Sequence, residues 1–310
     1  MNSNCFRYNV IYNNSNNNTC AEREQHFMPT GLVLEGGGMR GWYTAGVLTT
    51  FTENNISFEN VYGISAGAFN ALPFISGQNT SEFVRTMINV VNDERLVSSE
   101  NLKRTGSVFG FDFLYNELLP NSLHFDYKTF FESPVQLKSG TTDLKTGKPV
   151  FFEKADMDRQ FTAVRASCSL PMISNIVHYR GCDLLDGGYS APIPAEYAFS
   201  DGNEKNVIVF TREAGYRKGP EPEFSREKLN EKYSRYPAFV ENVLHRSELY
   251  NHELDACTDY EKEGRAFLIR PSAPIRIGRC ENDPKRLMEV YSLGLRDAQT
   301  LLPKLKEFLT

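Results

Sequence analysis

The sequence predicts an α/β protein: three layers, α/β/α, around a mainly parallel central sheet, with a helical extension at the C-terminal end. Three observations carry this. Short, nearly all-apolar runs, Leu32-Val33-Leu34 and Val207-Ile208-Val209-Phe210 among them, have strand length and no polar alternation, as expected of strands covered on both faces. The first of these runs opens a strand-helix-strand-helix alternation, which implies a right-handed parallel unit. From residue 213 onward charge becomes dense but balanced, with 17 basic and 17 acidic residues, and helical spacing dominates.

Taken in order, residues 1–28 are polar and asparagine-rich, lack apolar periodicity and are expected to form a flexible leader. Met28 offers an alternative start. A strand follows over 30–35, then a glycine-rich turn and a helix from 42 to about 52. A second strand leads into Ser65, and its helix runs to about 77. A third helix is expected over 81–92, with Ser81 as its N-cap and Phe83, Val84, Met87, Ile88 and Val91 on the apolar face. Residues 93–132 are irregular and rich in aromatics, either a packed insertion or a lid and acyl-binding wall. A hairpin is expected across 135–152, a helix over 161–169 stopped by Pro171, and a strand pair within 175–185. The C-terminal region, 213–310, reads as a helix over 225–255 with Pro237 placed to interrupt it, a strand at 266–269, and a helix over 284–309 that Pro303 is expected to kink or break. Its apolar stripe is expected to dock on the sheet. The expected domains are thus the leader, a catalytic domain over 29–212, and the mainly helical 213–310 packed on it.

At 310 residues the chain is long enough to bury a substantial core. A net charge of −5 with no dominant basic run argues against a nucleic-acid partner. No apolar run approaches the ~18–20 residues that span a bilayer, and no charged-then-apolar leader marks a signal peptide. The six cysteines are scattered, which fits free thiols in a cytoplasmic protein better than a disulfide framework. Cys168 with Cys182 is the one pairing worth weighing. No zinc-ligand spacing occurs, and neither a metal nor a cofactor is called for.

The chemistry centres on Gly63-Ile64-Ser65-Ala66-Gly67. A Gly-x-Ser-x-Gly between strand and helix is the nucleophile-elbow pattern: the serine sits on a sharp, strained turn, small neighbours avoid clashes, and the following helix aims its amides at the same point. Upstream, Gly36-Gly37-Gly38-Met39-Arg40-Gly41 also satisfies the dinucleotide fingerprint, but the acidic residue due about 20 positions on should end the second strand, which delivers the serine instead; Glu59 precedes that strand and is a poor substitute. Consecutive glycine amides beside Ser65 make an oxyanion hole, with donors worth roughly 3–4 kcal/mol each in known cases. A base is still needed. Asp186 ends an apolar run and is followed by Gly187-Gly188, so its carboxylate stands at a strand end where another backbone can approach closely.

These three motifs, with Ala166-Ser167-Cys168-Ser169-Leu170-Pro171 before the last, resemble the patatin-like phospholipase family in order and context over residues 30–212. The resemblance implies a patatin-like fold and lipid acyl hydrolysis by a Ser-Asp dyad without histidine. Ser65 would be the nucleophile and Asp186 the base. The amides of Gly37, Gly38 and Met39, within the stretch Gly36 to Gly41, would bind the oxyanion, with Arg40 beside them. It also implies a phospholipid or other fatty acyl ester as substrate and transient contact with a membrane surface. Glu35 departs from the aspartate that many members carry. Three readings compete: a Ser-His-Asp carboxylesterase using His245 or His252, an acyltransferase sharing the same acyl-enzyme, and a non-catalytic lipid-binding module.

Overall fold

The computed structural model describes residues 30–310. The expectations for residues 1–28 lie outside the described residues. The strands are β1 (Thr30–Leu34), β2 (Asn60–Ile64), β3 (Gln136–Asp143), β4 (Pro149–Glu153), β5 (Val177–Tyr179), β6 (Cys182–Asp186), β7 (Lys205–Val209) and β8 (Ala266–Ile269). They form one sheet in the order β5-β6-β3-β2-β1-β7-β8, with β4 also on β3. The pairings from β3 through β2, β1 and β7 to β8 are parallel; those of β4, β5 and β6 are antiparallel. The helices are α1 (Gly41–Glu53), α2 (Ala66–Ile75), α3 (Thr80–Val90), α4 (Ser99–Thr105), α5 (Tyr127–Glu132), α6 (Thr162–Ser167), α7 (Ala195–Ser200), α8 (Arg226–Tyr233), α9 (Pro237–Leu244), α10 (Arg246–Lys262) and α11 (Pro284–Phe308). A π-helical segment, Phe113–Ser122, lies between α4 and α5.

The central strands alternate their side chains between two cores, as a period of two requires. Leu32, Leu34, Val61, Val207 and Val209 face one cluster, which holds α1, α2 and α11. Val33, Tyr62, Ile208 and Phe210 face another, which holds α7 and α10. This is the three-layer arrangement, and it explains why the runs read as continuously apolar. A third cluster joins Leu185 and Tyr189 to α8 and α9. The C-terminal region enters the sheet through β8, and α11 lies directly on α1. There Gly46 and Gly294 let backbones touch: a Cβ on Gly46 would sit 2.2 Å from the Tyr291 carbonyl oxygen, and one on Gly294 2.1 Å from that of Tyr43.

Several expectations change. The third helix is capped by Asn79, whose side chain accepts from the Ser81 and Glu82 amides, so Ser81 lies inside it. The helix over 225–255 is three helices. Pro237 starts the second at a position where its missing N–H is no loss. Pro303 does not end α11, which is continuous to Phe308. Only the Gln299 carbonyl loses its intrahelical donor, and Gln299 is exposed to solvent. In the aromatic stretch Phe125 and Phe130 are buried in the core, as are Phe111 and Tyr115, and Phe109, Phe111 and Tyr115 also line a cavity. Cys168 and Cys182 are both free thiols.

Candidate active site

Strand register brings Ser65 and Asp186 together. Ile64, the last residue of β2, pairs with Gly140 of β3. One residue further along β3, Thr141 pairs with Asp186, the last residue of β6. Because β4 occupies the opposite edge of β3 from Lys138 to Thr142, β2 and β6 share one edge end to end. The serine that follows β2 and the aspartate that ends β6 therefore emerge at the same place, although 121 positions separate their numbers in the chain.

Ser65 adopts φ 54° and ψ −122°, a conformation costly for a residue with a Cβ. Its surroundings hold it there. A Cβ on Gly63 would lie 2.5 Å from Ala68 Cα, and one on Gly67 2.4 Å from the Leu34 carbonyl oxygen, so the elbow closes only with glycine on both sides. The Ser65 amide donates to Ser167 Oγ at 2.7 Å, and that hydroxyl donates to the Gly140 carbonyl at 2.5 Å. Ser167 thus clamps the turn onto β3. Helix α2 begins at Ala66, with its positive end at the serine.

Asp186 is buried. Its amide donates to the Ser169 carbonyl at 2.8 Å, its own carbonyl accepts from Thr142 Oγ1 at 2.9 Å, and its Oδ1 accepts from the Gly188 amide at 2.8 Å. Its Oδ2 is buried without a hydrogen-bond partner. Burial raises the Asp186 pKa above the ordinary carboxylate range; Ser65, the Gly188 amide, Arg246 and Arg279 oppose the rise without cancelling it.

The six residues from Gly36 to Gly41 divide by what their amides already do. Met39 N donates to the Arg279 carbonyl and Arg40 N to that of Gly37, both at 3.2 Å, and Gly41 N reaches the Gly38 and Met39 carbonyls. Among the described residues the Gly36, Gly37 and Gly38 amides donate to no acceptor, whereas the Met39 amide is already taken. Glu35 is engaged as well. It accepts from Tyr250 Oη at 2.7 Å and from the Thr211 amide at 2.5 Å, and so ties the glycine turn to β7 and α10.

Two cavities meet at Ser65. One, of about 860 Å³, is apolar and runs past Trp42, Phe69, Phe83, Leu96, Phe111 and Leu114. The other, of about 550 Å³, holds Asp186 and the glycine turn with Arg40, Arg212, Lys218, Arg246 and Arg279. No described histidine lines either cavity. His245 is exposed and faces Glu248 and Glu241, His252 is exposed on α10, and His178 pairs with Asp183 at 2.6 Å. Among the described residues the triad reading therefore has no histidine at Ser65. Sequence reasoning missed Ser167, which lay unassigned inside a recognised stretch, and the four cations from beyond residue 211, which carry no motif.

Comparison with known proteins adds the following. A family model for patatin-like phospholipase matches residues 32–199, and a domain of unknown function, DUF6363, matches residues 236–310. An uncharacterized protein of Escherichia coli K12, YjjU, is 26% identical over 294 residues, covering 90% of this chain and 78% of that protein. An uncharacterized NTE family protein of Mycobacterium tuberculosis, Rv1063c, is 25% identical over 209 residues, 64% of this chain and 54% of its own. Human GIVD cytosolic phospholipase A2, solved with methyl gamma-linolenyl fluorophosphonate, aligns with a TM-score of 0.50 at 11% identity over 94% of this chain. This chain spans only 60% of that structure's length, and the likeness is one of fold.

Proposed function

Because this chain belongs to the patatin-like phospholipase family of lipid acyl hydrolases, we propose that it cleaves fatty acyl esters through a Ser65–Asp186 dyad, with Gly37 and Gly38 as the oxyanion hole. The observation that carries this reading is the shared edge of β3, which delivers the strained serine and the buried carboxylate side by side between an apolar and a polar cavity.

In this reading Asp186 accepts the Ser65 proton as Oγ attacks the ester carbonyl carbon. The carbonyl oxygen becomes an oxyanion under the free Gly37 and Gly38 amides. Collapse of the tetrahedral intermediate breaks the ester C–O bond. The departing alkoxide takes the proton held on Asp186, and the acyl group stays on Ser65. A water molecule then gives its proton to Asp186 and attacks the acyl-enzyme. The second collapse returns that proton to Ser65 and frees the fatty acid, so ester and water become acid and alcohol. A carboxylate of ordinary pKa is a weak base for an alcohol, and the burial that raises Asp186 improves the match. The acyl chain lies in the apolar cavity, whose walls are predominantly aliphatic and aromatic side chains. Contact with a membrane surface is how such a protein would meet its lipid, and no described helix is long and apolar enough to cross one.

The test is labelling by an alkyl fluorophosphonate followed by peptide mapping. The reading requires the adduct on Ser65, with labelling abolished in Ser65→Ala and suppressed in Asp186→Asn. An adduct elsewhere, or steady ester turnover by Ser65→Ala, would overturn it.

A further inference from the structure

The polar cavity has more cations than its acids can balance. Glu223 holds Arg279, with Arg279 Nη2 at 3.0 Å from its Oε2, and lies 3.5 Å from Arg246. The Glu35 carboxylate is taken up by Tyr250 and Thr211. Among the described residues Arg40, Arg212 and Lys218 have no ion-pair partner. Arg212 lies over the Tyr216 ring at 4.4 Å and Lys218 over Tyr250 at 5.6 Å. Arg40 Nε is buried with no hydrogen-bond acceptor. The like charges repel one another. Burial first, then its arginine neighbours, pull Lys218 down to about 7, and burial together with Arg212 pulls Arg40 to about 10. A cluster of this kind is unfavourable alone and relieved by a bound anion.

Its position says which part of a substrate that anion belongs to. Ser65 lines both cavities, but Asp186 lines only the cationic one. The group that receives a proton from Asp186 on leaving must therefore depart into the cationic side, while the acyl chain stays in the apolar side. Forked guanidinium groups suit phosphate oxygens. A choline-like ammonium would instead meet like charge, and the faces of Tyr216 and Tyr250 are already covered by Arg212 and Lys218.

We propose that the leaving group of the natural ester carries an anionic phosphate, gripped by Lys218, Arg246 and Arg279, so that the C-terminal region selects the lipid head group. This rests on the acyl-hydrolase reading above. Arg279 has a second link to the reaction, since its carbonyl fixes the Met39 amide at the oxyanion turn.

Binding decides the matter apart from catalysis. Full-length Ser65→Ala is titrated by calorimetry with two non-hydrolysable ethers, hexadecylglycerol 3-phosphate and hexadecylglycerol. The phosphate ether is expected to bind at least roughly tenfold more tightly, with most of that margin lost in Lys218→Gln and in Arg279→Gln. Lys218→Gln alters a half-exposed loop residue and so gives a readout should Arg279→Gln fail to fold. Equal binding of the two ethers overturns the proposal. So does binding of inorganic phosphate that leaves the affinity of the phosphate ether unchanged, which would mark a site for free phosphate. In parallel, wild type is assayed on lysophosphatidic acid, lysophosphatidylcholine and monoacylglycerol of one chain length. Turnover without preference for lysophosphatidic acid overturns the head-group assignment and leaves the dyad standing. No turnover of any ester, with the ether preference intact, overturns the dyad and leaves the anion site standing.

Discussion

The apolar and cationic cavities meet at one serine but are built in opposite ways. The apolar cavity draws on residues 38–170, in order along one part of the chain, and asks only for hydrophobic bulk. The cationic cavity collects residues from 35 to 279, and its five basic side chains must present their charges at one place. Volume-conserving exchanges among hydrophobes are tolerated in such walls, whereas one misplaced guanidinium changes the field of the whole pocket. In the proposed reading the first wall sets how much chain is accepted, and the second sets what kind of group departs.

The largest expected effects remove the point where the two cavities meet. Ser65→Ala and Asp186→Asn should each lower kcat on a short acyl ester on the order of 10⁴-fold. They should separate in stability. Burial places the folded pKa of Asp186 above its ordinary 3.8. Between those two values the native state binds more protons than the unfolded chain, so this group's contribution to stability falls as pH rises through the window. At neutral pH the buried charge destabilises, and Asp186→Asn should melt higher than wild type, with the gap closing below about pH 4. A lower melting temperature for Asp186→Asn at neutral pH would contradict this. The activity of wild type should correspondingly fall on acidification with an apparent pKa above 3.8.

Filling the apolar side should act on chain length alone. Val84 is buried on α3 and lines that cavity. Val84→Phe should lower kcat/KM for long-chain esters about tenfold relative to short ones, as expected when two methylenes at about 0.8 kcal/mol each are displaced. An unchanged chain-length profile would place the acyl group elsewhere. The Ser167 clamp belongs to neither cavity. Ser167→Ala orphans the Ser65 amide and the Gly140 carbonyl, and should cost about 1–3 kcal/mol of stability. It should also lower kcat with little change in KM, since the elbow loosens while both cavities persist. Denaturant unfolding and steady-state kinetics measure the two parts. The smallest effect is reserved for histidine: His245→Ala and His252→Ala should change kcat less than about twofold, and a large loss would revive the triad.

Much of this was legible beforehand for local reasons. Gly63, Ser65 and Gly67 sit in one turn, and the steric demands of that turn can be read from five consecutive residues. The alternation of apolar runs announced a parallel sheet for the same reason. Ser81 reads as the cap of the third helix, a position Asn79 holds, because the two are equally good caps by type and only the backbone decides which residue takes the position. Pro303 was overread because its effect depends on whether water reaches the one orphaned carbonyl, which is a matter of exposure and not of residue type.

Residue chemistry alone determined that this chain carries an elbow serine, a glycine-rich turn and a strand-end aspartate in an α/β frame, since each depends on neighbours within a few positions. Only the tertiary structure decided that β2 and β6 share one edge of β3, that Ser167 clamps the elbow, and that Lys218, Arg246 and Arg279 turn one side of it cationic. Those facts depend on register and on loops that bring distant residues within a few ångströms. Strand order and loop closure are set by burial of the whole core, and no local pattern records them.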